Sequence, residues 1–148
     1  MPSALDDRTA AYVVAVHPAF EDMRQVTAQI AGLLVLEAAG SRDAAPDHPL
    51  LGAAEHMLAQ AADGLDRARG LAQDATRDHH RHLDEARASL RVALATARRW
   101  PLDVEAVMGP LRDGYAHLQT ASALLPGFHL VSFEQACCAV RRPPAQTD

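Results

Sequence analysis

The chain has 148 residues, of which 49% are apolar, and its 14 Lys+Arg against 19 Asp+Glu give a formal net charge of −5. That length and apolar content support a single domain with one real core and exclude disorder throughout. The acidic balance excludes the diffuse positive field that nucleic acid or an anionic membrane surface requires, and the only basic doublets, Arg98-Arg99 and Arg141-Arg142, make no local substitute.

Thirty-one residues are alanine, all fourteen basic residues are arginine, and Lys and Asn are absent. The core must therefore come from Leu, Val, Ala and Met. With 4% aromatic residues, stacking surfaces for bases or sugars are scarce. No apolar run approaches the ~20 residues of a spanning helix. The opening Met1-Pro2-Ser3-Ala4-Leu5-Asp6-Asp7 is acidic where a signal peptide is basic and then apolar, so the expected location is the cytosol, with neither membrane nor nucleic acid as partner.

Apolar side chains recur at helical spacing in four stretches. Ser3, with Asp6 three residues on, has the form of an N-cap. From there Leu5, Thr9, Tyr12, Val16, Phe20, Met23, Thr27, Ile30 and Leu34 hold one register, which predicts a long first helix, kinked at Pro18 and closed at Gly40. Residues 40–49 are loop. Asp47 is the expected cap of the second helix, with Pro49 in its first turn, and its stripe is Leu50, Leu51, Ala54, Met57, Leu58, Ala61, Leu65 and Ala68. The same phase runs on through Ala72, Ala75, His79, Leu83, Ala86, Leu90, Leu94 and Ala97. Read literally that is one rod of ~75 Å; a break near Gly70 or within 73–78, where polar capping residues gather, turns it into two packed helices. Trp100-Pro101 stops the third. The fourth carries Val104, Val107, Leu111, Tyr115, Leu118, Ser122 and Leu125, with Gly109-Pro110 inside it as a kink or an early end, and it closes at Pro126-Gly127.

Phe128, Leu130 and Phe133 then alternate with polar residues as a short extended segment, and Ser132-Phe133-Glu134-Gln135 opens a last short helix to about Val140. The expected architecture is an all-α, up-and-down antiparallel four-helix bundle over residues 1–140, with the extended segment and short helix packed on it and a disordered tail at 141–148. Alanine stripes bury little area, which favours a homo-oligomer or a protein partner, and Leu33 and Leu36, off the first helix's main stripe, are the expected exposed contacts.

Eight histidines stand above background, three of them in Asp78-His79-His80-Arg81-His82. His79 and His82 are i,i+3 and share a side, so two ligands to one transition metal are available there; His79 also sits on the apolar stripe, with His80 and His82 expected in solvent. No Glu-x-x-His or Cys-x-x-Cys-His pattern accompanies them. The run Glu55-His56-Met57-Leu58-Ala59-Gln60-Ala61 resembles, over seven residues, the His-x-Leu-Lys-Gly motif of histidine phosphotransfer domains, which implies an exposed phosphoryl-accepting His56; Ala59 and Gln60 stand in place of that family's Lys and Gly. Asp113 and His117 form an i,i+4 pair, half of a general-base arrangement. Cys137 and Cys138 are the only cysteines, and with His129 they are a candidate redox or soft-metal group.

Phosphate-binding glycine loops and nucleophile elbows are absent. The leading expectation is a small non-enzymatic accessory or adaptor bundle acting through protein contacts or oligomerisation. A second is a metal- or redox-responsive bundle using Cys137, Cys138 and His129 or the His79/His82 pair. A third is a small-molecule pocket beneath Phe128 to Phe133, with Glu37 or His79 as its polar group.

Overall fold

The computed structural model describes residues 7–38, 48–99, 101–126, 128, 130 and 133. These form four helices: α1 (Asp7–Ala38), α2 (Pro49–Arg69), α3 (Arg77–Ala97) and α4 (Val104–Leu124). No strand occurs among the described residues. The expected Ser3 cap, the Gly40 terminus, Asp47, and the extended segment and last helix apart from Phe128, Leu130 and Phe133, lie outside them.

The helices pair as two antiparallel hairpins, α1 with α2 and α3 with α4, which share the largest surfaces. The connections across 70–76 and 98–103 are too short for anything but an antiparallel return. The hairpins join through α1, which touches α3 and α4 as well as α2, while α2 also touches α3 and never meets α4.

Each stripe read from the sequence faces inward. Tyr12, Val16, Phe20, Met23 and Ile30 of α1, Leu51, Leu58 and Leu65 of α2, Leu83 and Leu90 of α3, and Leu111, Tyr115 and Leu118 of α4 are all buried. Burying each large side chain contributes about 1.5–3 kcal/mol. Leu33, expected on the surface, is 0% exposed, and Leu36 is half-buried. The reason is that α1 is covered by three helices, so its buried arc is wider than the single stripe that a surface helix presents.

Small residues set the interhelical approach. A Cβ at Gly64 would lie 3.0 Å from the Ala19 Cβ, and one at Gly114 would lie 2.9 Å from the Leu90 Cγ and 3.3 Å from the Ala86 carbonyl oxygen. Gly64 thus seats α2 on α1, and Gly114 seats α4 on α3, closer than any side chain permits.

The helix ends follow from local chemistry. The chain breaks between Arg69 and Arg77, where Thr76 Oγ1 accepts the Gln73 N–H at 2.8 Å and closes the turn. The N-cap of α2 is His48, one residue later than expected: its Nδ1 accepts the Leu50 N–H at 3.0 Å, and Pro49, which has no N–H to satisfy, follows as the first helical residue. Asp103 caps α4 through the Ala106 N–H at 3.2 Å. Pro18 and Pro110 lie inside α1 and α4, which continue through them; packing on both sides holds a helix that each proline locally deprives of one hydrogen bond. Phe128 and Phe133 are buried against the bundle, Phe133 on Tyr115 with the Arg112 guanidinium 5.3 Å over its ring.

Candidate functional site

Two groups of histidines come together, and they divide the His79/His82 pair between them. His79 points into the core. It is 1% exposed, its Nδ1 shares a 2.7 Å hydrogen bond with the Tyr12 hydroxyl, and the Phe128 ring lies 4.7 Å from its own. His80, expected in solvent, is 6% exposed, with its Nδ1 3.5 Å from the same hydroxyl and its Nε2 3.7 Å from Asp84 Oδ2. It is buried because α1 closes over the first turn of α3, where Tyr12 reaches both rings.

Burial is the dominant cause of the shifted acidities here. It pushes the His79 imidazole down to about 4, assisted by its neighbours His80 and His82. It pushes the Tyr12 hydroxyl well above its ordinary range, assisted by Asp84. It also lowers His80, against the opposing pull of Asp84. Both members of the Tyr12–His79 bond are therefore neutral at pH 7. Shut behind Phe128 and held away from neutral-pH titration, this pair is a structural device of the core.

The other group faces water. His82 and Glu85 lie one turn apart on α3, and His117 comes from α4, which Gly114 brings close, one turn earlier in the chain. His82 Nδ1 is 3.1 Å from His117 Nδ1, and His117 Nδ1 is 3.3 Å from Glu85 Oε2. One donor atom from each residue lies within 4.8 Å of the other two, and all three side chains are half-buried. Among the described residues, this is the only group of three metal-ligating side chains so arranged. Two ligands about 2.1 Å from one ion at the tetrahedral angle stand ~3.4 Å apart, a spacing close to both of the short separations.

Arg81 braces the group from the solvent side. One guanidinium nitrogen is 3.4 Å from Glu85 Oε1, leaving Oε2 toward His117, and the other is 3.4 Å from His82 Nε2. His82 Nδ1 and His117 Nδ1, 3.1 Å apart, share one proton between them. An ion held by both Nδ1 atoms takes both lone pairs, so the shared proton must first move to an Nε2 or to solvent.

The remaining candidates are dispersed. Asp113 is exposed, and His117 turns to Glu85 and His82 rather than to it. His56 is exposed on α2. Glu37 is half-buried near the end of α1, and Phe128 packs on His17, Phe20 and His79. Cys137, Cys138 and His129 lie outside the described residues. Glu85 and His117 carried a usable signal only in part: His82-x-x-Glu85 is a one-turn ligand pair readable from spacing, whereas nothing in the order of residues announces that His117, thirty-five positions on, meets it.

No protein-family model matches the chain, and neither the curated proteins nor the solved structures contain a match. The class defined by the fold is an all-α antiparallel four-helix bundle. Among the described residues, no helix is long and apolar enough to cross a membrane.

Proposed function

We propose that this protein binds a first-row divalent metal ion, with His82, Glu85 and His117 as its ligands. The observation that supports this reading is the convergence of two imidazole nitrogens and a carboxylate oxygen, from two helices, at separations of 3.1 and 3.3 Å on a half-exposed face. Two imidazoles and one carboxylate suit Zn²⁺, Co²⁺ or Ni²⁺ better than the hard cations that prefer all-oxygen shells. Three protein ligands leave a fourth position for water or substrate, the pattern of sites that exchange ligands or activate water rather than of closed structural sites.

Of the two contacts expected for an accessory role, Leu33 is buried and Leu36 half-buried. The large apolar side chains exposed among the described residues, Val14, Val92 and Leu124, lie on three different helices. The metal reading therefore ranks first.

Protein stripped with chelator and titrated calorimetrically with Zn²⁺, and with Co²⁺ followed by its visible absorption, is expected to take up one equivalent with a four-coordinate spectrum. Losing a neighbour that merely orients a ligand weakens metal sites 10–100-fold, so His82→Ala and His117→Ala should each weaken binding by at least about tenfold. Uptake below a tenth of an equivalent, or undiminished uptake by His117→Ala, overturns the proposal.

A further inference from the structure

About 140–180° round α3 from His82, on the side facing α2, lies a second constellation, made of arginines. Arg87, Arg91 and Arg98 line an open groove of about 430 Å³ between α2 and α3, together with Glu55 and an apolar floor of Leu58, Ala59, Leu94 and Ala95. Its volume lies within the range of small-molecule sites.

The charges do not balance. Three guanidiniums meet one carboxylate, an excess of two positive charges in a protein whose net charge is −5. Arg98 is paired with Glu55 at 2.6 Å. Arg87 donates its Nε–H to the Leu58 carbonyl oxygen at 3.2 Å, which anchors the guanidinium and leaves its terminal N–H groups for a ligand. Among the described residues neither Arg87 nor Arg91 has an acidic partner. Elsewhere on the helices Arg24, Arg69, Arg77 and Arg81 each have one, whereas Arg8 and Arg67 stand singly among the described residues and exposed, outside this groove. Arg87 and Arg91 also stand at i,i+4, where like charges repel unless an anion lies between them.

We infer that this groove binds a phosphate monoester with a short apolar body. The phosphate, a near-dianion at pH 7, matches the two uncompensated guanidiniums and their bidentate geometry. The apolar part lies on Leu58, Ala59, Leu94 and Ala95. The site is separate from the metal centre and does not depend on it.

Phenyl phosphate is the probe, with phenylacetate as monoanion and benzyl alcohol as the neutral analogue, each titrated into ¹⁵N-labelled full-length protein while amide shifts are followed. Saturable shifts confined to the groove, stronger for phenyl phosphate than for phenylacetate and absent with benzyl alcohol, support the inference. Arg91→Met, which removes no hydrogen bond or ion pair among the described residues, should weaken phenyl phosphate about tenfold or more, the loss typical of one charge-assisted contact. Arg77→Met, at the far end of α3, should not weaken it, and His117→Ala should bind as tightly as the parent, which keeps this outcome distinct from the metal result. Arg87→Met should weaken it as well; if its fold is disturbed, Arg91→Met decides alone. No saturable shift at about 10 mM, phenylacetate binding as tightly as phenyl phosphate, or an unaffected Arg91→Met overturns the inference.

Discussion

Burying Tyr12 and His79 removes a hydroxyl and an imidazole from water, and their 2.7 Å hydrogen bond offsets part of that loss. Leaving the buried His79 Nδ1 without its partner costs roughly 1–3 kcal/mol, so Tyr12→Phe should destabilise the fold by that order, measured by urea unfolding. The buried imidazole also makes stability fall in acid. Its folded value of about 4 lies below the ordinary 6.5, so between those values the unfolded chain binds a proton that the folded chain refuses. The contribution is present in full above about pH 6.5, is lost as pH falls through that window, and levels off below about 4. The gap corresponds to ~3 kcal/mol, and the lowered His80 acts in the same direction. Unfolding free energies from pH 7.5 to 4 should show the decline; His79→Phe, which fills the site without a titrating ring, should flatten it.

At the scale of the element, two glycines with the same helical conformation have opposite expected effects. Gly52 on α2 has nothing within 4 Å of a Cβ, whereas a Cβ at Gly114 lies 2.9 Å from Leu90. Gly52→Ala gains helix propensity of up to about 1 kcal/mol without a clash. Gly114→Ala gains the same propensity but forces α4 off α3, and overpacking of that kind costs roughly 1–3 kcal/mol. Chemical denaturation should therefore find Gly52→Ala more stable than the parent and Gly114→Ala less stable. Because Gly114 also sets the distance between His117 and the pair on α3, Gly114→Ala should weaken Zn²⁺ binding as well; full affinity in a destabilised Gly114→Ala would separate the two roles.

Across the whole molecule the two hairpins meet where α1 touches α3 and α4 and where α2 touches α3, and the ligands proposed for the metal tie α3 to α4 within the second hairpin. An ion that binds the folded state alone adds RT ln(1 + [L]/Kd), about 2.7 kcal/mol at a hundredfold excess over Kd. For a chain of this length that corresponds to a rise in Tm of roughly 5–10 °C, expected in a thermal scan with Zn²⁺ and abolished in His117→Ala.

The four helices were legible in the residue order because burial repeats with the turn of the helix: most large stripe residues from Tyr12 to Leu118 are found inside, with Leu50, Met57 and Val104 half-buried at the edges. Composition likewise determined that one alanine-rich core, without a strong positive field, would be built. The spacing His82-x-x-Glu85 also lies on one face of one helix, although the pairing expected there was His79 with His82. Tertiary structure alone decided the rest. Leu33 went inside because three helices cover α1, His80 because Tyr12 reaches over it, and His117 joined His82 and Glu85 because Gly114 lets α4 approach. Periodicity describes a helix one side at a time, whereas burial on several sides and the meeting of donors from separate helices depend on interaxial distance and rotation, which arise only when the helices pack.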